Sequence, residues 1–204
     1  MPDRAPALTP ATLRRAGLGA YVRPRDLEAL GITEPMLRTL LRRGTVEKVA
    51  RGLYRLTDAD PGELESVAAV CARAPRAIAC LLTALQIHGI GTRLTPEVWI
   101  GLPHGSRPPR TTVARIRAVR FSDRFLTVGV SAIRVEGVPA RITDPSRTIV
   151  DCLRLTALID RETAFEALRE GLRGGQVSPS GLLRTARLCG VHDRVRGILE
   201  ILTA

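Results

Sequence analysis

Aromatic residues are scarce in this sequence, at 3% of 204 positions. A core with so few rings must be built from Leu, Val, Ile and Ala, and a hydrophobic share of 45% is ample for that. The same scarcity argues against single-stranded nucleic acid as a ligand, because such binding relies on bases stacked on aromatic side chains. Lysine is rarer still, with Lys48 the only one. A nuclease centre that pairs two acids with a lysine therefore has one candidate, inside a short basic hairpin. Cys71, Cys80, Cys152 and Cys189 fall without a C-x-x-C pair, which removes the usual zinc spacing. His88, His104 and His192 stand apart from one another. No P-loop, G-x-S-x-G or H-E-x-x-H pattern occurs. The expectation is a non-enzymatic protein with no catalytic residues, no metal and no cofactor. No apolar run approaches the roughly 18 residues of a membrane span. The opening MPDRAPALTP lacks the charged-then-apolar pattern of a secretion signal. A cytoplasmic protein with four reduced thiols is expected.

Positive charge is what the chain has in excess. Lys plus Arg number 31 against 20 acids, a formal net charge of +11. That imbalance suits a partner with a phosphate backbone. It is also unevenly spread. Residues 1–56 carry 11 basic and 5 acidic side chains, whereas residues 57–204 carry 20 and 15 over a far longer stretch.

The punctuation of the first 56 residues predicts three helices and a hairpin. Thr9 caps a first helix that starts at Pro10 and ends before Gly17. Pro24 to Leu30 forms a second, stopped by Gly31. Thr33 caps a third that runs to Arg43, with Leu37, Leu40 and Leu41 as its inward stripe. Thr45–Val49 and Leu53–Leu56 read as strands about an Ala50-Arg51-Gly52 turn. This is the element order of a winged helix-turn-helix. The Asp, Pro and Gly residues between Thr57 and Gly62 mark a domain junction. The fold class expected is α+β, a winged helix-turn-helix domain over 1–57 followed by a mixed domain over 58–204. The second domain starts with a helix over Glu63–Arg73, a strand over Ala77–Cys80 and a helix over Leu81–His88. Strands follow at Val98–Leu102, Thr112–Phe121 and Leu126–Val135. A run of helices then begins at Pro145, Arg161, Pro179 and Val191.

In a helix-turn-helix the second helix of the pair enters the major groove. Here that helix holds Thr33, Arg38, Thr39, Arg42 and Arg43, and these are the expected DNA-binding residues, with Met36 a helper. Lys48 and Arg51 in the hairpin are expected on the sugar-phosphate backbone. The plain alternative is a solvated basic helix face. Arg115, Arg117 and Arg120 belong to a second basic stretch over 107–124. They form an accessory surface for DNA or an acidic partner, or simply a solvated sheet face.

The stretch LRTLLRRGTVEKVARGLYRL at 37–56 resembles the recognition helix and wing of the AbiEi family, the antitoxins of type IV toxin–antitoxin systems. CLLTALQIHGI, PEVWIGLP, DPSRTIVDCLR and EALREGLRGG are similar to later segments of the family in the same order. Thr83 stands where the family commonly has serine, and Arg23 where a capping Ser or Thr is commoner. The resemblance implies a cytoplasmic repressor that binds double-stranded DNA, inverted repeats in its own promoter. It also implies a C-terminal domain that counteracts a nucleotidyltransferase-like toxin, without requiring a stable complex. A stand-alone regulator and a protein-interaction adaptor are the alternatives. Operator sequence, toxin and oligomeric state are not legible.

Two further features have local readings. Arg147 and Asp151, four apart in a helix start, predict an ion pair contributing a few tenths of a kcal/mol. With Thr148 they form instead a partner-facing polar cluster on the functional reading. His88, just before Gly89, suits a helix C-terminus.

Overall fold

The protein is described by a computed structural model over residues 8–58, 62–92 and 95–203. The junction expected at Thr57–Gly62 falls partly on residues 59–61, and the opening segment on residues 1–7. Both lie outside the described residues.

Local capping starts the helices. Thr9 and Thr12 satisfy one another's main-chain amides and open α1 (Pro10–Arg15). A two-residue strand follows, β1 (Tyr21–Val22). α2 (Pro24–Glu28) begins after Arg23, where no Ser or Thr is available. Asp26 offsets that lack by accepting the Arg23 main-chain N–H at 2.8 Å and the Arg23 guanidinium at 2.8 and 2.7 Å. Burial opposes its ionisation, yet those hydrogen bonds hold the Asp26 carboxyl below its ordinary value. α3 (Glu34–Arg42) follows Thr33, which occupies the capping position in extended backbone. Its hydroxyl makes no capping hydrogen bond, contrary to the expected side-chain cap. Strands β2 (Val46–Ala50) and β3 (Leu53–Leu56) then form the hairpin.

β1, β3 and β2 lie side by side in that order, antiparallel, with Tyr21 opposite Arg55 and Glu47 opposite Arg55 on the other edge. A short β1 was not legible, since two residues carry no period. Leu13, Val22, Leu27, Ile32, Leu37, Leu40, Val46 and Leu56 meet as a core. Each of the three helices and all three strands contributes to it. α4 (Glu65–Arg73) belongs to the same compact unit, which comprises residues 1–75, 109–115 and 133–140.

The second unit comprises residues 76–108, 116–132 and 141–204. A five-stranded sheet is ordered β6-β5-β4-β8-β7, from β4 (Ile78–Ala79), β5 (Glu97–Pro103), β6 (Arg115–Phe121), β7 (Val130–Val135) and β8 (Val138–Thr143). β4 pairs antiparallel with β5 and parallel with β8. α5 (Leu81–His88) connects β4 toward β5 and ends at Gly89 in the left-handed conformation. A 3-10 turn, Asp123–Leu126, ends where the sequence suggested that β7 begins, and β7 itself starts four residues later, at Val130. β8 was not anticipated, because Pro139 interrupts its pattern. Helices α6 (Pro145–Arg154), α7 (Arg161–Arg173), α8 (Pro179–Cys189) and α9 (His192–Thr203) complete the chain. The sequence carries the helix from Pro145 through about Leu158, but α6 stops four residues earlier, where Leu155 leaves helical backbone. The core here is aliphatic, from Ile78, Leu81, Ile149, Leu168, Leu182 and Val195, with Trp99 and Phe121 its two buried rings. No helix among the described residues is long and apolar enough to cross a membrane.

Candidate nucleic-acid interface

α3 is strongly two-faced. Leu37 and Leu40 are buried, and Leu41 is half-buried. The 3.6-residue period leaves Glu34, Arg38 and Arg42 one turn apart on the opposite side, all exposed. Arg43, at the helix end, is exposed too, and so is Met36. The guanidinium face is not loose. Arg38 Nη2 donates to Glu34 Oε1 at 2.7 Å, with both side chains more than 70% exposed. That hydrogen bond, and the charge behind it, raises the Arg38 pKa further above its ordinary value. Thr39 Oγ1 donates to the Pro35 carbonyl at 3.1 Å and accepts from Arg42 Nη2 at 3.3 Å. Each of the two arginines expected in the groove is thus held by a neighbour on its own helix. Thr33 is exposed at the helix start.

The hairpin carries Lys48 and Arg51, both exposed. Gly52 has φ +69° in the turn, a conformation that residues with a Cβ rarely adopt. The ladder shifts register between Lys48 and Ala50, a bulge that bends the strand near its tip. Thr57 Oγ1 donates to the Gly44 carbonyl at 2.6 Å and so joins the end of the hairpin to the end of α3.

Acids near this surface are tied up. Arg55 bonds the carboxylate of Glu47 at 2.6 Å and that of Glu65 at 2.8 Å. Tyr21 donates its hydroxyl to Glu65 at 2.7 Å. Burial first, then Glu65, pushes the Tyr21 phenol well above its ordinary value, so it stays protonated and donating. Arg73, in the last turn of α4, donates to the main-chain carbonyl of Arg51 at 2.6 Å. Glu34, Arg55 and Arg73 were not singled out in the sequence. For Glu34 the signal was present, an acid four residues before an arginine on one helix face. For Arg55 and Arg73 the partners are distant in sequence and nothing local announces them.

The second basic stretch is less available. β6 is an edge strand, and Arg115, Arg117 and Arg120 are exposed on it. Arg117 lies 4.5 Å from the centroid of the Trp99 ring and 3.6 Å from Glu97. Arg120 donates to the Pro103 carbonyl at 3.3 Å. Two of the three are therefore engaged within their own sheet.

The Arg147 region corrects the sequence expectation of a surface pair. Arg147 and Asp151 are both fully buried, with Nε to Oδ1 at 2.9 Å. Arg154 donates to the same Oδ1 at 2.7 Å, and Oδ2 of Asp151 has no hydrogen-bond partner among the described residues. Arg147 also donates to the Val128 carbonyl and lies 5.2 and 4.9 Å from the Phe121 and Phe125 centroids. Thr148 is buried as well, and its hydroxyl donates to the carbonyl of Thr143 or Asp144, at 3.0 and 2.8 Å. A cluster so enclosed faces no partner. His88 bonds the Thr143 carbonyl through Nε2 at 2.8 Å. A carbonyl only accepts, so Nε2 carries the proton. All four cysteines are unpaired and buried, and burial raises their thiol pKa values, that of Cys71 to about 11. Among the described residues no three His, Cys, Asp or Glu side chains are grouped to hold a metal ion.

A basic, exposed second helix beside a basic hairpin is the equipment of the helix-turn-helix-like regulators. Residues 13–57 match the family model described as transcriptional regulator, AbiEi antitoxin. No curated protein matches the chain. Among solved structures, the RV2827C protein from Mycobacterium tuberculosis shares 15% sequence identity at a TM-score of 0.52. The match covers 91% of this chain and 75% of that one. The likeness is one of fold.

Proposed function

We propose that this protein is a cytoplasmic transcriptional repressor and type IV antitoxin whose residues 1–57 act as a winged helix on duplex DNA. α3 enters the major groove with Arg38, Thr39 and Arg42 toward base edges. Thr33 and Arg43 meet phosphates at its two ends, and Lys48 and Arg51 meet the backbone beside the groove. The single observation that carries this reading is the exposure of all those cations on one two-faced helix and its hairpin, while Leu37 and Leu40 anchor the helix from behind. The family match over 13–57 supports a regulator. The sites are inverted repeats in the protein's own promoter, which would make repression self-limiting. Residues 58–204 counteract a nucleotidyltransferase-like toxin, a role supported by the antitoxin description of the family and by the resemblance of the later sequence segments. Arg115 serves as the accessory contact to DNA or partner, while Arg117 and Arg120 are engaged by Trp99, Glu97 and Pro103.

Fluorescence anisotropy of labelled upstream duplex across a salt series tests the DNA half. With six phosphates neutralised, log affinity falls against log salt with a slope of about −5. An Arg38→Ala/Arg42→Ala double variant should relax sequence preference and lose about 1–3 kcal/mol of specific affinity for each arginine removed. Binding unchanged in that variant would remove α3 from the interface. Co-expression with the adjacent gene product tests the antitoxin half: relief of its toxicity by the full chain is expected, and undiminished toxicity would refute it.

A further inference from the structure

A carboxylate stands where the winged-helix reading least accommodates one. Glu34 is in the first turn of α3, on the face it shares with Arg38 and Arg42, and its side chain is 74% exposed. In a helix-turn-helix the N-terminal residues of the second helix are those that touch base edges. A negative charge there opposes a polyanion and lowers affinity for duplex at large. As a stabilising contact its pair with Arg38 is too exposed to contribute much.

We propose that Glu34 is a specificity-determining residue, one that demands a cytosine amino group next to the guanine read by Arg38; the inference rests on the DNA-binding reading above. An ionised carboxylate only accepts hydrogen bonds. Of the base edges in the major groove, the cytosine N4 and adenine N6 amino groups donate, but the adenine amino group lies beside the N7 acceptor, which repels the second oxygen. Guanine and thymine present acceptors alone. Glu34 thus discriminates by rejection as well as by attraction. Its bond to Arg38 serves the same end. It engages Nη2 at 2.7 Å and leaves the guanidinium's other N–H groups for the O6 and N7 of guanine. The two side chains, one turn apart and already joined, are a pre-oriented pair for adjacent bases. Thr39 plays the corresponding orienting part for Arg42, at 3.3 Å.

The test uses the full chain and a randomised duplex library. Wild type and Glu34→Gln each select binding sites, and anisotropy then measures affinity for the wild-type consensus, for the consensus with its C·G pair changed to T·A, and for random duplex. Wild type should prefer C·G over T·A by about tenfold, and Glu34→Gln should reduce that preference to about twofold or less. Affinity of Glu34→Gln for random duplex should rise a few-fold, because a charge opposing phosphate is gone. Glu34→Asp retains the charge and its place at the helix start but not its reach. It should lose the preference with random-duplex affinity unchanged. Identical selected sites for wild type and Glu34→Gln, with a change in melting temperature only, would overturn the proposal and leave Glu34 a helix-start residue. Wild type that binds no duplex at low salt would overturn the DNA-binding reading, and this inference with it.

Discussion

Arg73 donates a hydrogen bond to the main-chain carbonyl of Arg51, 22 positions earlier in the chain, and so fastens the last turn of α4 to the tip of the β2–β3 hairpin. The tip is otherwise two residues wide, with Gly52 in left-handed backbone. A charged donor on a carbonyl at 2.6 Å restricts where Arg51 can point. Arg73→Ala should therefore weaken DNA binding without unfolding the hairpin, whose core residues Leu53 and Leu56 are fully buried. The loss expected is about 1 kcal/mol, roughly fivefold in affinity, the order of one such hydrogen bond. Anisotropy on the upstream duplex measures it, with circular dichroism to verify the fold. Unaltered affinity would mean that the tip is set by its own turn.

Elements with a strong local signal were legible in the sequence. α3 announced itself through its leucine stripe, the hairpin through alternation about Arg51-Gly52, and α8 through Ser178-Pro179, where the Ser178 side chain accepts from the main-chain amide of Gly181. The exposed cations of the candidate interface were legible for the same reason: a two-faced helix fixes which residues face out. What depends on long-range pairing was not. β1 exists only because Tyr21 and Val22 find Arg55 and Tyr54 on β3. The Arg147–Asp151 spacing was recognised, but its burial depends on Phe121, Phe125 and the Val128 carbonyl closing over it. Sequence spacing reports helical neighbours and is blind to what covers them.

That burial changes the expected size of its effect. Asp151 faces two guanidinium groups on one oxygen, inside a core that excludes water. Removing the carboxylate leaves Arg147 charged and uncompensated, an outcome that costs about 3–5 kcal/mol for a buried pair. Asp151→Ala should thus lower the melting temperature far more than the few tenths of a kcal/mol of an exposed helical pair would imply. An Arg147→Met/Asp151→Leu double variant should recover most of the loss, since neither charge is then buried alone. If the double variant is no more stable than the single one, the hydrogen bonds that Arg147 donates to the main-chain carbonyls of Val128 and, at 3.5 Å, Phe125 matter more than the charge balance. Thermal unfolding followed by circular dichroism separates these outcomes.

Asp26 gives the N-terminal unit a pH dependence of known sign. Its carboxyl titrates below the ordinary value in the folded state, despite burial, because Arg23 bonds to it. A depressed folded pKa stabilises the fold at pH values above the unfolded pKa, near 3.9. That contribution fades as pH falls through the folded pKa and is absent below it. Asp26→Asn should lose about 1 kcal/mol at neutral pH, the scale of a helix-start cap, and show a smaller further loss on acidification than wild type. Parallel acid melts of the two proteins would contradict the assignment.

Gly19 tests whether two pieces of chain distant in sequence meet through their backbones. The turn between β7 and β8 is two residues long, Glu136 and Gly137, both with positive φ, as a tight hairpin turn requires. Ala20 N–H donates to the Glu136 carbonyl at 2.9 Å. A Cβ on Gly19 would lie 2.4 Å from the carbonyl carbon of Gly137 and 2.6 Å from the amide nitrogen of Val138. These are backbone atoms, which cannot rotate aside as a side-chain end would, so the turn must move and the Ala20 bond must lengthen. Gly19→Ala should cost about 1–3 kcal/mol, in the range of overpacked sites. Gly197 supplies the control. It lies within α9, has ordinary φ, and an added Cβ would meet nothing within 4 Å. Gly197→Ala should stabilise by about 0.5–1 kcal/mol, because alanine is the better helix former. The two alanines should therefore shift the melting temperature in opposite directions. Equal shifts would show that the close approach of Gly19 and Gly137 imposes no constraint on the fold.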